Sequence, residues 1–166
     1  VIDFPDSMHY RYDNVITLRT FSKAYGLAGF RVGYGFGHEN LIENLLKVKL
    51  PFEPSIPAQS AAISALDDEK YLINTIKVND EGMNQFIDAF NLYNLQYIPS
   101  VTNFVTLIFN NSNESKEFTY LMLKNGVIVR HLIGFGLAQC VRISIGTKDE
   151  NKFFIEKLKI VMGEMN

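Results

Sequence analysis

The feature that most restricts the fold is an apolar pattern of helical spacing between about residues 67 and 95. Apolar side chains recur there every three or four residues, which is the spacing of one face of an α-helix. A long helix with such a face packs against a core, so the pattern predicts a globular chain built around it. The face consists of Tyr71, Leu72, Ile76, Met83, Phe86, Ile87 and Phe90.

The chain after this helix alternates between strand and helix patterns. We predict strands at 103–109, 127–130 and 141–145, with a helix at 116–124 between the first two and a last helix at the end. Thr147, with Glu150 three residues later, forms a capping-box sequence for that last helix. This order indicates a compact α/β or α+β unit, which we place at residues 76–166.

Residues 1–75 have a different style. Short strands are predicted at 15–18 and 30–36, followed by a helix at 40–50. Ser55 is a suitable N-cap for a second helix at 56–66, whose small side chains suit close packing. The division into segments 1–75 and 76–166 is therefore the predicted domain organisation.

Composition excludes several classes of protein. The chain has 166 residues, with 16 Lys and Arg against 18 Asp and Glu. Its formal net charge is therefore −2, which does not indicate a nucleic-acid binder. An apolar content of 47% argues against disorder. The apolar runs are short for a membrane span. The single cysteine, Cys140, favours a reducing, cytoplasmic location.

No metal site is predicted. Cys140 belongs to no CxxC pair, and the three histidines have no partner at the spacing of metal ligands on a helix or a strand. They are interpreted as surface residues or as residues that support a neighbouring site. These histidines are His9, His38 and His131.

The most informative residues follow the first predicted strand. Lys23 stands just after Thr20 and Ser22, and Arg31 comes eight residues later. An amine, two hydroxyls and a guanidinium in this order meet the needs of a phosphorylated aldehyde cofactor: the amine forms a Schiff base and the other groups bind the phosphate. The alternative is that Lys23 is an ordinary solvated lysine in a loop.

The segment LRTFSKAYGLAGFRVGY at 18–34 closely resembles the cofactor-lysine segment of fold-type I pyridoxal-phosphate aminotransferases, in particular the histidinol-phosphate aminotransferase family. Matches follow in order along nearly the whole chain. The resemblance implies an α/β fold: the end of the PLP-binding large domain at 1–75 and the small C-terminal domain at 76–166. Further matching segments are 51–55 with Ala58 and Gln59, 102–105, 126–130 and 141–147.

The resemblance also implies roles for individual residues. Lys23 is the Schiff-base lysine and the catalytic residue, and the cofactor is pyridoxal 5'-phosphate. Side chains that hold its phosphate are Thr20, Ser22 and Arg31, and substrate-binding side chains are Arg130, Arg142 and Asn103.

The two later arginines are also notable without the family. Arg130 closes an apolar run, where a guanidinium needs an anionic partner or access to water. Arg142 alternates with the apolar residues Val141 and Ile143 in a predicted strand. The alternative is that both face outward without binding a ligand. Asn103 has a similar alternative, which is to satisfy the backbone of a loop.

The activity implied by the resemblance is transfer of an amino group from histidinol phosphate to 2-oxoglutarate, giving imidazole-acetol phosphate and glutamate, in a homodimer. Other fold-type I enzymes share the lysine segment, so threonine-phosphate decarboxylase and aromatic or broad-specificity aminotransferases are alternatives. A non-catalytic fragment or interaction module is a third. Family members contact the cofactor ring with an Asp and a Tyr upstream of this segment, and neither is matched here. We therefore expect the 166-residue chain alone to be an inactive portion of such an enzyme.

Overall fold

The structure is a computed structural model that describes residues 7–10 and 12–165. The chain divides between Thr75 and Ile76 into two compact units, called here unit 1, up to Thr75, and unit 2, from Ile76. The boundary falls within one long helix, α3 (Glu69–Leu92). No helix in the described part of the chain is long and apolar enough to cross a membrane.

Unit 1 contains a two-stranded antiparallel sheet. Strand β1 (Ile16–Thr20) pairs with β2 (Gly33–Gly37), so that Ile16 lies opposite Gly37 and Thr20 opposite Gly33. Helices α1 (Glu39–Leu46) and α2 (Ile56–Leu66) follow. The predicted Ser55 cap is confirmed, because its side chain accepts a hydrogen bond from the backbone N–H of Ala58 at 3.4 Å.

The buried core of unit 1 is small. Phe21, Val32, Ala58 and Ala62 are its buried apolar members among the described residues. The rings of Tyr25 and Tyr34 pack on Phe21, with ring centroids 5.0 and 5.2 Å away.

Unit 2 is an antiparallel sheet of four strands in the order β3-β4-β6-β5, with helices packed on it. The strands are β3 (Gln96–Ile98), β4 (Phe104–Ile108), β5 (Arg130–His131) and β6 (Cys140–Ser144). The helices beside α3 are α4 (Ser112–Lys124) and α5 (Lys148–Met165). Its core draws on all three helices and on the middle strands; the fully buried side chains include Phe86, Phe90, Val105, Leu107, Phe118, Val141 and Leu158.

The capping box of α5 is confirmed. The Thr147 backbone N–H donates to a Glu150 carboxylate oxygen at 2.7 Å, and the Glu150 N–H donates back to the Thr147 hydroxyl at 3.4 Å. Helix α4 begins at Ser112, four residues before the prediction, because Asn111 caps it by accepting from the N–H groups of Asn113 and Glu114.

Some predicted strands were wrong in extent. The strand expected at 30–36 begins at Gly33, because residues 28–30 form a 3₁₀-helix and Arg31 has a left-handed backbone with φ of 52°. The strand expected at 127–130 is reduced to Arg130–His131, because β6 pairs with those two residues. Strand β3 was not predicted.

Two helices also differ from the prediction. Helix α1 ends at Leu46 instead of 50, and its cap is His38, whose side chain accepts from the Asn40 N–H at 3.3 Å. Helix α3 covers Glu69–Leu92 of the pattern at about 67–95, and Gly82 lies within it. It lies against α5: a Cβ atom at this position would stand 2.5 Å from the Asn151 amide nitrogen.

Candidate functional site

In unit 1 the predicted cofactor residues surround one end of the two-stranded sheet. Thr20 is the last residue of β1 and lies opposite Gly33. The next residue, Phe21, donates its N–H to the carbonyl oxygen of Val32 at 3.3 Å and accepts from the Leu27 N–H at 2.9 Å. Residues 21–27 therefore form a closed turn around the buried Phe21 ring.

The turn fixes the backbone between the two hydroxyl residues. The Thr20 hydroxyl oxygen accepts from the Ser22 N–H at 3.0 Å. The Lys23 carbonyl accepts from the Gly26 N–H at 2.9 Å, while the Lys23 side chain is exposed. Lys23 is thus held at its backbone and free to react at its amine.

Gly26 makes this turn possible for two reasons. Its φ is 68°, in the left-handed region that favours glycine. A Cβ atom there would also lie 2.5 Å from the Tyr71 hydroxyl oxygen. A larger residue at this position would strain the left-handed backbone of the turn that carries Lys23, and it would push the Tyr71 side chain aside.

Arg31 closes the same end of the sheet. It caps the 3₁₀-helix Ala28–Phe30, and one guanidinium nitrogen donates to the Ala28 carbonyl at 2.9 Å. The remaining N–H groups of this exposed side chain are available to an anion. Because the Phe21 N–H donates to the Val32 carbonyl, the antiparallel pairing continues beyond Thr20. This continuation places Arg31 near the backbone around Ser22.

In unit 2 the sheet brings the two predicted substrate arginines together. Arg130 of β5 lies directly opposite Arg142 of β6, and residues paired in this way share one face of the sheet. Thr106 of β4 lies opposite Arg142 on its other side. The neighbours Val141 and Ile143 are buried on the opposite face, as the alternation predicts.

Both guanidiniums lie over aromatic rings instead of carboxylates. The guanidinium carbon of Arg142 is 5.1 Å from the centre of the Phe104 ring, and that of Arg130 is 5.9 Å from the Phe135 ring. Arg142 Nε is buried without a hydrogen bond, and neither arginine pairs with a carboxylate among the described residues. Like charges placed opposite each other repel, so this face attracts an anion.

Asn103 does not belong to the arginine row, the name used here for Arg130 and Arg142 on this face of the sheet. It precedes β4, its side chain is exposed, and its backbone carbonyl accepts from the Ile145 N–H at 2.9 Å, which extends the pairing of β4 with β6. The structure therefore gives Asn103 a backbone role at the sheet end and leaves its side chain available.

Sequence reasoning missed the surroundings of these arginines. The Phe104 and Phe135 rings were not singled out, nor was the contact of His131 with the buried hydroxyl of Ser115. In the sequence, Phe135 follows soon after Arg130, and Phe104 begins β4. Strand pairing, however, decides which ring meets which arginine. No group of three or more His, Cys, Asp or Glu residues within 7–10 and 12–165 is arranged to hold a metal.

Comparison with known proteins identifies the class to which this fold belongs. The family model for aminotransferase class I and II matches residues 8–158. The chain belongs to this family.

Relatives within the family make the resemblance more specific. Histidinol-phosphate aminotransferase 1 of Bacillus cereus is 43% identical over 165 residues, which is 98% of this chain and 44% of the relative. The enzyme of the same name from Nitrosococcus oceani is 45% identical over 154 residues, 93% of this chain and 41% of its own length. The chain thus spans less than half the length of these relatives.

A solved structure agrees with the fold. The histidinol-phosphate aminotransferase of Sinorhizobium meliloti, solved in complex with pyridoxal-5'-phosphate, superposes with a TM-score of 0.84 and 30% identity over 93% of this chain and 42% of that one. The predicted fold-type I class and the resemblance to histidinol-phosphate aminotransferases are confirmed.

Proposed function

We propose that this chain is the C-terminal portion of a pyridoxal-phosphate-dependent aminotransferase that moves an amino group from histidinol phosphate to 2-oxoglutarate. Residues 1–75 are then the end of the cofactor-binding large domain, and residues 76–166 the small domain. The observation that carries the proposal is the turn after β1, where Thr20, Ser22 and Lys23 stand beside the start of β2, which Arg31 precedes.

The residues of this turn fit the cofactor by the chemistry of their donors. A phosphate dianion needs several hydrogen-bond donors and a positive charge, which two hydroxyls and a guanidinium supply. An aldehyde needs an accessible amine, and Lys23 Nζ is exposed. When bound, pyridoxal phosphate supplies an electron-withdrawing ring that stabilises negative charge on the substrate's α-carbon.

The chain's own residues perform the other steps. Lys23 would hold the cofactor covalently through Nζ. The same Nζ, when free, would serve as the general base and general acid that takes a proton from the substrate's α-carbon and gives it back. Thr20, Ser22 and Arg31 would keep the phosphate in place.

The substrate's anionic group is assigned to the row of arginines in unit 2. Arg130 and Arg142 share one face, lack carboxylate partners among the described residues and leave most of their N–H groups for a ligand. Asn103 contributes its exposed side chain to the same substrate. A homodimer and a cytoplasmic location complete the proposal; the free, buried thiol of Cys140 suits a reducing compartment.

The experiment is a comparison of amino donors with the purified enzyme that contains this chain. We expect kcat/KM with 2-oxoglutarate to be highest for histidinol phosphate. A preference for an aromatic amino acid would favour a broad-specificity aminotransferase, and release of carbon dioxide from threonine phosphate a decarboxylase. Absence of any cofactor-dependent reaction would favour a non-catalytic module.

A further inference from the structure

His131, the neighbour of Arg130 in β5, contacts two other segments of unit 2 through one ring nitrogen. Its Nε2 lies 2.7 Å from the Ala138 carbonyl oxygen and 3.1 Å from the Ser115 hydroxyl oxygen. A carbonyl oxygen only accepts, so Nε2 carries the proton and donates to it. The Ser115 hydroxyl reaches the same Ala138 carbonyl at 2.7 Å, which joins three segments of unit 2 at one point.

This contact lies behind Arg130. Successive side chains of a strand point to opposite faces, so His131 points away from the face on which Arg130 meets Arg142. His131 is paired with the fully buried Val141, and Ser115 in the first turn of α4 is fully buried as well. His131 therefore fastens β5 to α4 from the core side.

Strand β5 needs such a fastening because its backbone pairing is short. It has two residues, paired with β6 at the edge of the sheet. The repulsion between Arg130 and Arg142 acts against this pairing. A partly buried hydrogen bond on the opposite face offsets that repulsion without occupying either guanidinium.

The same contact holds the turn that carries the Phe135 ring. Residues 132–140 close on themselves, since the Leu132 N–H donates to the Cys140 carbonyl at 3.0 Å and the Leu137 N–H to the Leu132 carbonyl at 3.3 Å. Ala138 lies on the returning arm of this turn. His131 thus fixes both Arg130 and the ring 5.9 Å from its guanidinium.

We propose that His131, with Ser115, is the positioning residue that holds Arg130 opposite Arg142 so that the two guanidiniums bind one phosphate or carboxylate group. This proposal rests on the proposed function, which assigns the arginine pair to the substrate's anion. Its basis is preorganisation: a guanidinium already held in place loses less freedom when the anion binds.

The test measures inorganic phosphate binding to the 166-residue chain by NMR, using the side-chain Nε–H signals of Arg130 and Arg142. His131→Gln places an amide nitrogen near the position of the histidine Nε2, whereas His131→Asn cannot reach so far. We expect His131→Asn to weaken phosphate binding about two- to tenfold, as for the loss of one hydrogen bond. His131→Gln should restore most of the affinity, and Ser115→Ala should weaken binding in the same direction as His131→Asn.

A matched control is Thr119→Val. It removes another hydrogen bond of α4, from the Thr119 hydroxyl to the Ser115 carbonyl at 2.7 Å, and leaves the hydrogen-bonding groups of His131, Ser115 and Ala138 at this contact in place. Phosphate affinity should be unchanged in this variant. Amide spectra of every variant report whether unit 2 remains folded.

The outcomes separate the two proposals. If Arg130→Gln and Arg142→Gln abolish phosphate binding but His131→Asn binds as tightly as the wild type, the positioning role is wrong and the arginine pair stands. If the wild-type signals of these arginines do not respond to phosphate, the anion site fails and His131 loses its role with it. Equal loss in His131→Asn and His131→Gln, with shifts spread across unit 2, would make His131 a structural residue only and overturn the proposal.

Discussion

At the residue scale, Lys23 combines a fixed backbone with an exposed amine. In the purified enzyme that contains this chain, Lys23→Ala should therefore abolish amino transfer and covalent cofactor retention, while the cofactor-free forms of variant and wild type keep the same thermal stability. Borohydride reduction followed by peptide mapping should place the cofactor on Lys23 in the wild type and on no residue of the variant. Lys47→Ala and Lys49→Ala are the controls, and an adduct on either of those lysines would refute the assignment.

Arg31 allows a sharper test, because two of its properties can be separated. Its backbone is left-handed, and its guanidinium is the group that we assign to the phosphate. Arg31→Ala should raise the dissociation constant for pyridoxal phosphate about ten- to a hundredfold, the effect of losing a charge-assisted hydrogen bond. Arg31→Gly relieves the backbone at φ 52° and should show the same loss. If Arg31→Gly instead kept wild-type affinity, the guanidinium would not be the group that binds the phosphate.

The sequence predicts these residues but not all of their geometry. Alternation along β6 correctly places the Arg142 side chain on one face of the sheet and the Val141 and Ile143 side chains on the other face, since a strand has a period of two. That Arg142 faces Arg130 depends on how two strands pair, and the alternation of one strand carries no information about its partner. The φ of Arg31 is likewise set by the turn around Phe21, whose closure comes from Val32 and Leu27.

At the element scale, the capping box at the start of α5 links stability to pH. The Thr147 N–H and hydroxyl both donate to the Glu150 carboxylate, which lowers its pKa below the usual value of 4.5. The lowered pKa means that this contribution to stability is fully present above pH 4.5 and is lost as the pH falls through the folded-state pKa. Urea unfolding of wild type and Glu150→Gln should therefore differ most near neutral pH and converge in acid.

The exposed Glu156→Gln, farther along the same helix, is the control and should show no such convergence. Thr147→Ala should lower the free energy of unfolding by about 0.5–2 kcal/mol, the usual effect of removing a helix N-cap. A wild-type advantage over Glu150→Gln that persists unchanged at pH 2 would contradict the role of the ionised carboxylate.

Elements with strong local signals were predicted well, and those that depend on pairing were not. Helix α2 has its Ser55 cap and the predicted bounds, because both signals are local. Strand β3 has three residues and exists because β4 pairs with it, so no periodicity announces it. The apolar run at 127–129 has the composition of a strand, yet only the next two residues find a partner in β6.

At the scale of the whole molecule, unit 2 has the larger buried core among the described residues. Buried side chains from α3, α4, α5 and the sheet meet in unit 2. We therefore expect residues 76–166 expressed alone to unfold cooperatively in urea, with a dispersed NMR spectrum. Phe90→Ala should lower the free energy of unfolding by about 3–5 kcal/mol, since that ring is fully buried. A non-cooperative transition would show that unit 2 depends on residues before Ile76.

Unit 1 leaves several large apolar side chains exposed. Phe52 is 95% exposed, Ile56 82% and Leu18 69%. Apolar surface of this extent is typical of a segment that packs against further protein.

The last prediction follows from two observations. Unit 1 exposes large apolar side chains, and the chain spans 44% of the length of a relative. Amino transfer needs a group that keeps the cofactor ring electron-poor and a wall that holds the ring, and the resemblance places the corresponding Asp and Tyr before the matched segment. We expect the 166-residue chain, incubated with pyridoxal phosphate, to form a borohydride-trapped adduct on Lys23. With histidinol phosphate and 2-oxoglutarate it should show no steady-state turnover, while histidinol-phosphate aminotransferase 1 of Bacillus cereus serves as the active control. Turnover comparable to that control would mean that residues 1–166 already contain every group the reaction requires.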